Sequence, residues 1–490
     1  MSRKTFEVPA NIGRYRNTPT AQPAQRGVIY SVAPSPVEVN RIWAGTDDGL
    51  IHVTVDGGVS WKNVTPPQLR PFSKVSLIEA GHFSAGTAYA AINTLRLDDM
   101  RPHILRTHDG GATWTEIVTG MGDNAPVNVV REDPERKGLL YAGTERTVFV
   151  SFDDGAHWQT LRQNLPATSI RDLIVKDDDL AVGTHGRGFW ILDNVTPLRQ
   201  MTPAVSATGA TLFALATALR VRWNMNTDTP LPPDEPVGTN PPDGAMIDFA
   251  LPAGTAGPVT LEILNRTGQL VRRYSSTDPV DRPDPQLAIP PYWVRPGRSL
   301  PASAGMHRFL WDMRYTPVAG ASKAYPTAAI FADTAPTPTS PLVMPGQYTV
   351  KLTVDGKTFT QPLTVKMDPR VKTSAIDLTA QFALSKGLYE DIQKGYATIA
   401  EIRAWRAKPG LSADLSQQAE KLVGSGRGGR GAPAGPDTIS SVTASLGTLL
   451  QLAQEADAAP PAALKSSAGE RQKALSALLA QWSTLKTSTP

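Results

Sequence analysis

The sequence predicts a mainly β protein: about four blades of a β-propeller, then a β-sandwich, then a helical C-terminal region. Three observations predict it. The pattern Ser/Thr-x-Asp-x-Gly-x-x-Trp occurs three times, as TVDGGVSW (54–61), THDGGATW (107–114) and SFDDGAHW (151–158). Trp61, Trp114 and Trp158 are separated by 53 and 44 residues, the length of one four-stranded blade. Finally, 43 prolines and 40 glycines favour turns and short strands, and apolar residues take up a helical period only after Ser374.

Each repeat divides into four strand-like runs with alternating apolar or β-branched residues. The first reads GVIYSVAP (27–34), RIWAGTDDG (41–49), LIHVTVD (50–56) and SWKNVT (60–65). The second reads KVSLIEAGHF, TAYAAINT, HILRTHD and TWTEIV; the third reads PVNVVRED, LLYAGTER, VFVSFDD and HWQTLR. A fourth unit, IRDLIVKD, LAVGTHGRG, FWILDN and VTPLRQM, lacks the motif. In this division the motif falls on the turn between the third and fourth strands. Asp56, Asp109 and Asp153 are suited to accept backbone N–H groups of their own turns. Gly58, Gly111 and Gly155 permit the positive φ of a tight turn, and Trp61, Trp114 and Trp158 offer large apolar faces to bury between blades. The expected role of these nine residues is structural. A calcium loop is disfavoured, because each turn carries one or two carboxylates where such a loop needs several oxygen ligands.

These octapeptides resemble the Asp-box, or BNR repeat, shared by sialidases, sortilin-type receptors, xyloglucan-cleaving glucanases and a photosystem assembly factor. The surrounding text, IWAGTDDGLIHVTVDGGVSWKNVTP and LAVGTHGRGFWILDN, is similar to the large bacterial sortilin-like BNR-repeat proteins often labelled glycosyl hydrolases. The resemblance covers roughly residues 26 to 200. It implies a longer propeller, of which this chain holds the C-terminal half, and an extracytoplasmic setting for the longer form. The sequence itself sets no localisation: MSRKTFEVPANIGRYRN has no apolar run of a secretory signal. The edges left by four blades are expected to be covered by further blades or by self-association.

Residues 1–26 form an N-terminal extension, 27–200 the blades, and 201–243 a proline-rich linker. From 244 to 370 alternating runs return, including GQYTVKLTVDGKTFTQPLTVKM, in which VDGK signals a hairpin. This block is expected to be a sandwich of immunoglobulin or fibronectin type III character. Residues 371–490 are helical: a long helix with Ser374 as N-cap, then ADLSQQAEKLV, then helices near 438–456 and 468–485. A Gly/Arg-rich loop at 424–437 carries Arg427 and Arg430 and reads as an insertion tip.

Chemistry is expected at the end of the propeller opposite the motif turns. The connections between second and third strands there are GTDDG (45–49), NTLRLDDMRPH (93–103), GTERT (143–147) and GTHGRG (183–188). They bring Asp47, Asp48, Glu145, Arg146, His185 and Arg187 around one mouth, with Arg96, Asp98, Asp99 and Arg101 from the longest and Arg70 from a loop between blades. Arg70, Arg96, Arg101, Arg146, His185 and Arg187 are the candidate binding residues for a peptide, protein or glycan. Asp47, Asp48 and Glu145 are the catalytic candidates for the alternative, a glycoside hydrolase acting on a polysaccharide, because that chemistry takes one carboxyl as acid and another as base or nucleophile. The favoured expectation is a non-enzymatic sortilin-like scaffold.

Other classes are disfavoured. A balance of 49 basic and 45 acidic residues, net +4, lacks the basic footprint of a nucleic-acid binder. No stretch approaches a membrane span. There is no cysteine, and the seven histidines show no zinc spacing, so neither metal nor cofactor is expected. No Gly-x-Ser-x-Gly elbow or phosphate-binding loop occurs, and no Arg-Ile-Pro motif of the sialidases is present.

Overall fold

The computed structural model describes residues 27–202, 209–222, 238, 241–280, 287, 289–321, 323–326, 332–424 and 436–487. The N-terminal extension, most of the proline-rich stretch and the Gly/Arg-rich loop lie outside them. The chain is mainly β with several sheets and helices toward the C-terminus, and it divides into two compact units, Met1–Ala207 and Thr208–Pro490.

Among its described residues the first unit contains four antiparallel meanders in which strand order follows the sequence. The first sheet is β1 (Ile29–Pro34), β2 (Ile42–Thr46), β3 (Ile51–Thr54) and β4 (Lys62–Asn63). The second is β5 (Lys74–Ala80), β6 (Ala88–Asn93), β7 (Ile104–Thr107) and β8 (Thr115–Glu116). The third is β9 (Val127–Glu132), β10 (Leu140–Thr144), β11 (Val148–Ser151) and β12 (Gln159–Thr160). The fourth has three strands, β13 (Ile170–Lys176), β14 (Asp179–Thr184) and β15 (Phe189–Leu192). Between successive sheets lie three apolar cores. The first joins Trp43, Ile51 and Val53 to Val75, Ile78 and Leu105. In the second, Tyr89 and Ile104 meet Val130 and Phe149. The third brings Tyr141, Val148 and Val150 against Ile170, Leu173 and Val182.

The fourth sheet corrects the sequence reading. VTPLRQM is not a fourth strand; Thr196–Gln200 is a short helix, α1. Its start is set locally: Pro197 occupies the first turn, and Asn194 Oδ1 accepts from Thr196 N at 3.2 Å and from Thr196 Oγ1 at 2.6 Å. Arg199 then reaches buried Asp133 at 3.0 Å, which fixes the helix against the third sheet's first turn.

The motif turns share one hydrogen-bond plan. The first residue's hydroxyl bonds the aspartate and accepts from the glycine N–H: Gly58 to Thr54, Gly111 to Thr107 and Gly155 to Ser151, at 3.0, 3.0 and 2.9 Å. Each aspartate accepts the N–H four residues on, Ser60, Thr113 or His157, at 2.9 Å. The hydroxyl and backbone N–H of Thr113 together hold the Asp109 carboxyl down to about 2. The indole N–H groups of Trp114 and Trp158 donate to Val64 O and Ile117 O, each at the end of the preceding sheet, at 2.9 and 2.8 Å. A Cβ on Gly111 would meet Val64 at 2.8 Å, and one on Gly155 would meet Ile117 at 2.3 Å, so the glycines also permit this close approach.

In the second unit a three-stranded sheet, β16 (Thr211–Leu212), β18 (Ala245–Leu251) and β21 (Gly305–Trp311), shares one core with a five-stranded sheet. The latter is ordered β17 (Ala218–Arg220), β23 (Lys357–Met367), β22 (Gly346–Val354), β19 (Thr260–Leu264) and β20 (Leu270–Ser275). The stretch read as a linker therefore supplies two short strands, because Leu212, Ala218 and Arg220 are buried. The VDGK hairpin closes with Asp355 at φ 48° and Gly356 at φ 76°, the pair of positive values a type I′ turn needs. Among the described residues four helices follow: Ala375–Arg406, Ala413–Val423, Ile439–Ala453 and Ala462–Thr487. Ser374 caps the first, accepting from Asp377 N at 3.2 Å.

Candidate functional site

Meander topology gives the first unit two ends. The motif turns and the connections from first to second strands share one end; the connections from second to third strands, and those between sheets, share the other.

At the end opposite the motif turns, the Gly-Thr sequences build the connections. Thr46 Oγ1 accepts from Leu50 N at 2.8 Å, Thr144 Oγ1 from Thr147 N at 3.1 Å and Thr184 Oγ1 from Arg187 N at 3.1 Å. The candidate carboxylates all have partners. Asp48 is buried and accepts from Thr46 Oγ1. Asp47 accepts from Val28 N at 2.9 Å and pairs with Arg96 at 3.5 Å. Glu145 accepts from Asn128 Nδ2 at 3.0 Å and pairs with Arg171 at 3.2 Å. Asp99 gathers Arg70 at 3.0 Å, Arg101 at 2.8 Å and His103 at 3.4 Å, and the Arg101 contact with burial opposing it leaves its carboxyl well below the usual range. Asp98 turns the chain at φ 56°. Arg146, His185 and Arg187 are exposed and carry no ion pair among the described residues. The structure thus groups Asp47 with Arg96, and Arg70 with Asp99 and Arg101. Arg171 and Asn128 join this end although sequence reasoning did not single them out.

The motif-turn end holds a second polar group, which sequence reasoning missed. A cavity of about 320 Å³ is lined by residues of all four first strands, among them Val32, Glu79, Arg131, Glu132 and Ile174, with His82 beside them. Glu79 takes Arg131 Nη1 at 2.9 Å on one oxygen and His82 Nε2 at 3.0 Å on the other. Arg131 continues to Asp172 at 3.1 Å and donates Nε–H to Leu173 O at 2.9 Å. Glu132 accepts His82 N at 2.7 Å. The hydrogen bond that Glu79 accepts from the His82 ring raises the pKa of His82, and burial raises that of Glu132. One signal was present in the sequence. Ala33, Glu79, Arg131 and Ile174 occupy one register position, paired with Trp43, Tyr89, Tyr141 and Ala181 respectively, and two of the four are charged, Glu79 between Ile78 and Ala80 and Arg131 after Val130. Asp154, beside the third motif aspartate, was likewise missed: it accepts from Tyr89 Oη at 2.6 Å and pairs with Arg106 and His108.

Among the described residues, no group of three or more His, Asp or Glu side chains is placed to hold a metal ion, and no helix is long and apolar enough to cross a membrane.

No family model matches the chain, and no curated protein matches it. Solved structures that it resembles include YCF48 from Cyanidioschyzon merolae, at 16% identity over 34% of this chain and 54% of that one, TM-score 0.27. Another is YCF48 bound to D1 peptide, at 13% identity over 53% and 74%, TM-score 0.27. A third is a GH74 xyloglucanase from Xanthomonas campestris, at 12% identity over 69% and 47%, TM-score 0.28. These neighbours are β-propeller proteins. The chain spans about half the length of the first and third.

Proposed function

We propose that residues 27–200 are Asp-box blades of a sortilin-like propeller and act as a non-catalytic scaffold. It binds a peptide, protein or glycan at the end opposite the motif turns. Residues 244–370 form an immunoglobulin- or fibronectin-like sandwich, followed in the chain by the helical region 371–490. One observation carries the reading: each candidate carboxylate at that end is committed to a neighbour, Asp48 to Thr46, Asp47 to Arg96 and Glu145 to Asn128 and Arg171. Glycoside hydrolysis takes one carboxyl to give a proton and another to attack or to activate water, and the partners of these three favour a structural role over either. What the end offers instead is guanidinium and imidazole donors on Arg146, His185 and Arg187, suited to the carbonyls, hydroxyls and carboxylates of a peptide or glycan.

Peptide and glycan arrays probed with the full chain test this. Wild type is expected to retain ligands that Arg146→Ala/Arg187→Ala loses, with binding weakened by added salt. Equal retention by the variant would remove the ligand from this end, and loss on His82→Ala alone would move it to the motif-turn cavity.

A further inference from the structure

The four sheets of the first unit are joined by three equivalent interfaces, and strand register identifies the positions that make them. On the forward face, Ile51, Ile104, Val148 and Phe189 are equivalent, paired with Gly45, Ala91, Gly143 and Gly183. The first three are at most 2% exposed; Phe189 is 90% exposed. Ile191 matches Val53 and Val150 by the same register, and is 59% exposed where they are buried. On the rear face, Ile29, Val75, Val127 and Ile170 are equivalent; the last three are fully buried and Ile29 is 51% exposed. Val32 matches Ile78, Val130 and Leu173, which are at most 1% exposed, yet is itself 59% exposed.

The last sheet thus presents the face that elsewhere receives a next sheet, and the first presents the face that elsewhere enters a preceding one. These two faces are the two halves of an interface this chain already makes three times. We infer that they join between copies: the fourth sheet of one chain packs on the first sheet of a second chain, through Phe189 and Ile191 against Ile29 and Val32. Two copies joined at both faces close a ring of eight sheets, within the range that propellers adopt. A head-to-tail contact that closes in this way leaves no sheet face open for further growth. The inference stands independently of what the opposite end binds.

Light scattering after size exclusion, on the full chain across a range of concentrations, tests it. Wild type is expected at twice the 52.5 kDa chain mass. Phe189→Asp/Ile191→Asp and, separately, Val32→Asp are expected at the chain mass with unchanged circular dichroism. Mixing these two variants should restore one contact and a weak dimer, since each keeps one intact face. A wild-type monomer at all concentrations would overturn the inference. A dimer that survives both substitutions would overturn it equally.

Discussion

Arg131 Nη1 lies 2.9 Å from Glu79 Oε2, and Arg131 Nη2 lies 3.1 Å from Asp172 Oδ1, so one side chain on β9 holds the neighbouring first strands β5 and β13. Glu79 is largely buried, and Arg131 is about a quarter exposed. Breaking a buried pair from one side leaves an uncompensated charge, which costs several kcal/mol when both groups are fully enclosed. Partial access of water to Arg131 reduces that. Glu79→Gln should lower the stability of the first unit by about 2 kcal/mol. Arg131→Met should do the same, and the double variant should lose less than the sum, since the two share one interaction. Urea titrations of the four proteins measure it; additive losses would dissolve the link.

The same group sets a pH dependence. His82 has a pKa raised above 6.5, first by its hydrogen bond to Glu79. A raised value means that the folded state favours the protonated ring. Its contribution is complete below about pH 6.5 and fades as pH rises through the folded value. Glu132, raised above 4.5 by burial, acts in the same direction: ionisation on raising the pH costs the folded state more than the unfolded one. Asp109, held down to about 2, works oppositely and loses its contribution as pH falls toward that value. Stability of the first unit should therefore be greatest in mildly acid solution and decline from pH 6 to pH 8. His82→Gln should flatten that decline, and a denaturation midpoint followed against pH reads it directly.

The motif tryptophans should differ in cost despite identical motif positions. Trp158 is buried and its indole N–H donates to Ile117 O. Trp158→Phe should destabilise by about 1–2 kcal/mol, because a buried carbonyl loses its donor. Trp61 makes no such bond among the described residues, and Trp61→Phe should stay within about 0.5 kcal/mol. Thermal melts of the two variants separate these outcomes, and equal losses would contradict the assigned hydrogen bonds.

Much of the β organisation was written in the sequence, because the period-two alternation and the motif turns are local signals. Thr54, Asp56, Gly58 and Ser60 bond mainly to one another, within seven residues. Ser374 and Asp377 mark a helix start for the same reason. The fourth unit misled because three preceding units each supply a fourth strand at this place, although Val195, Leu198 and Met201 are spaced three apart and Asn194 and Pro197 decide for a helix. The strands at Thr211–Leu212 and Ala218–Arg220 are too short to carry a period and exist through their partners β18 and β23. The motif-turn cavity was hidden for a different reason. Glu79, Arg131 and Asp172 lie more than forty residues apart along the chain, and only the packing of one sheet on the next brings them together.

The scaffold reading stands or falls on whether the carboxylates at the end opposite the motif turns do chemistry. Reducing-sugar release and binding should be measured together on a polysaccharide panel, for wild type and for Asp47→Asn/Glu145→Gln. Binding without sugar release in either protein is the expected result. Release by wild type that disappears in the double variant would make the protein a glycoside hydrolase and contradict the scaffold reading.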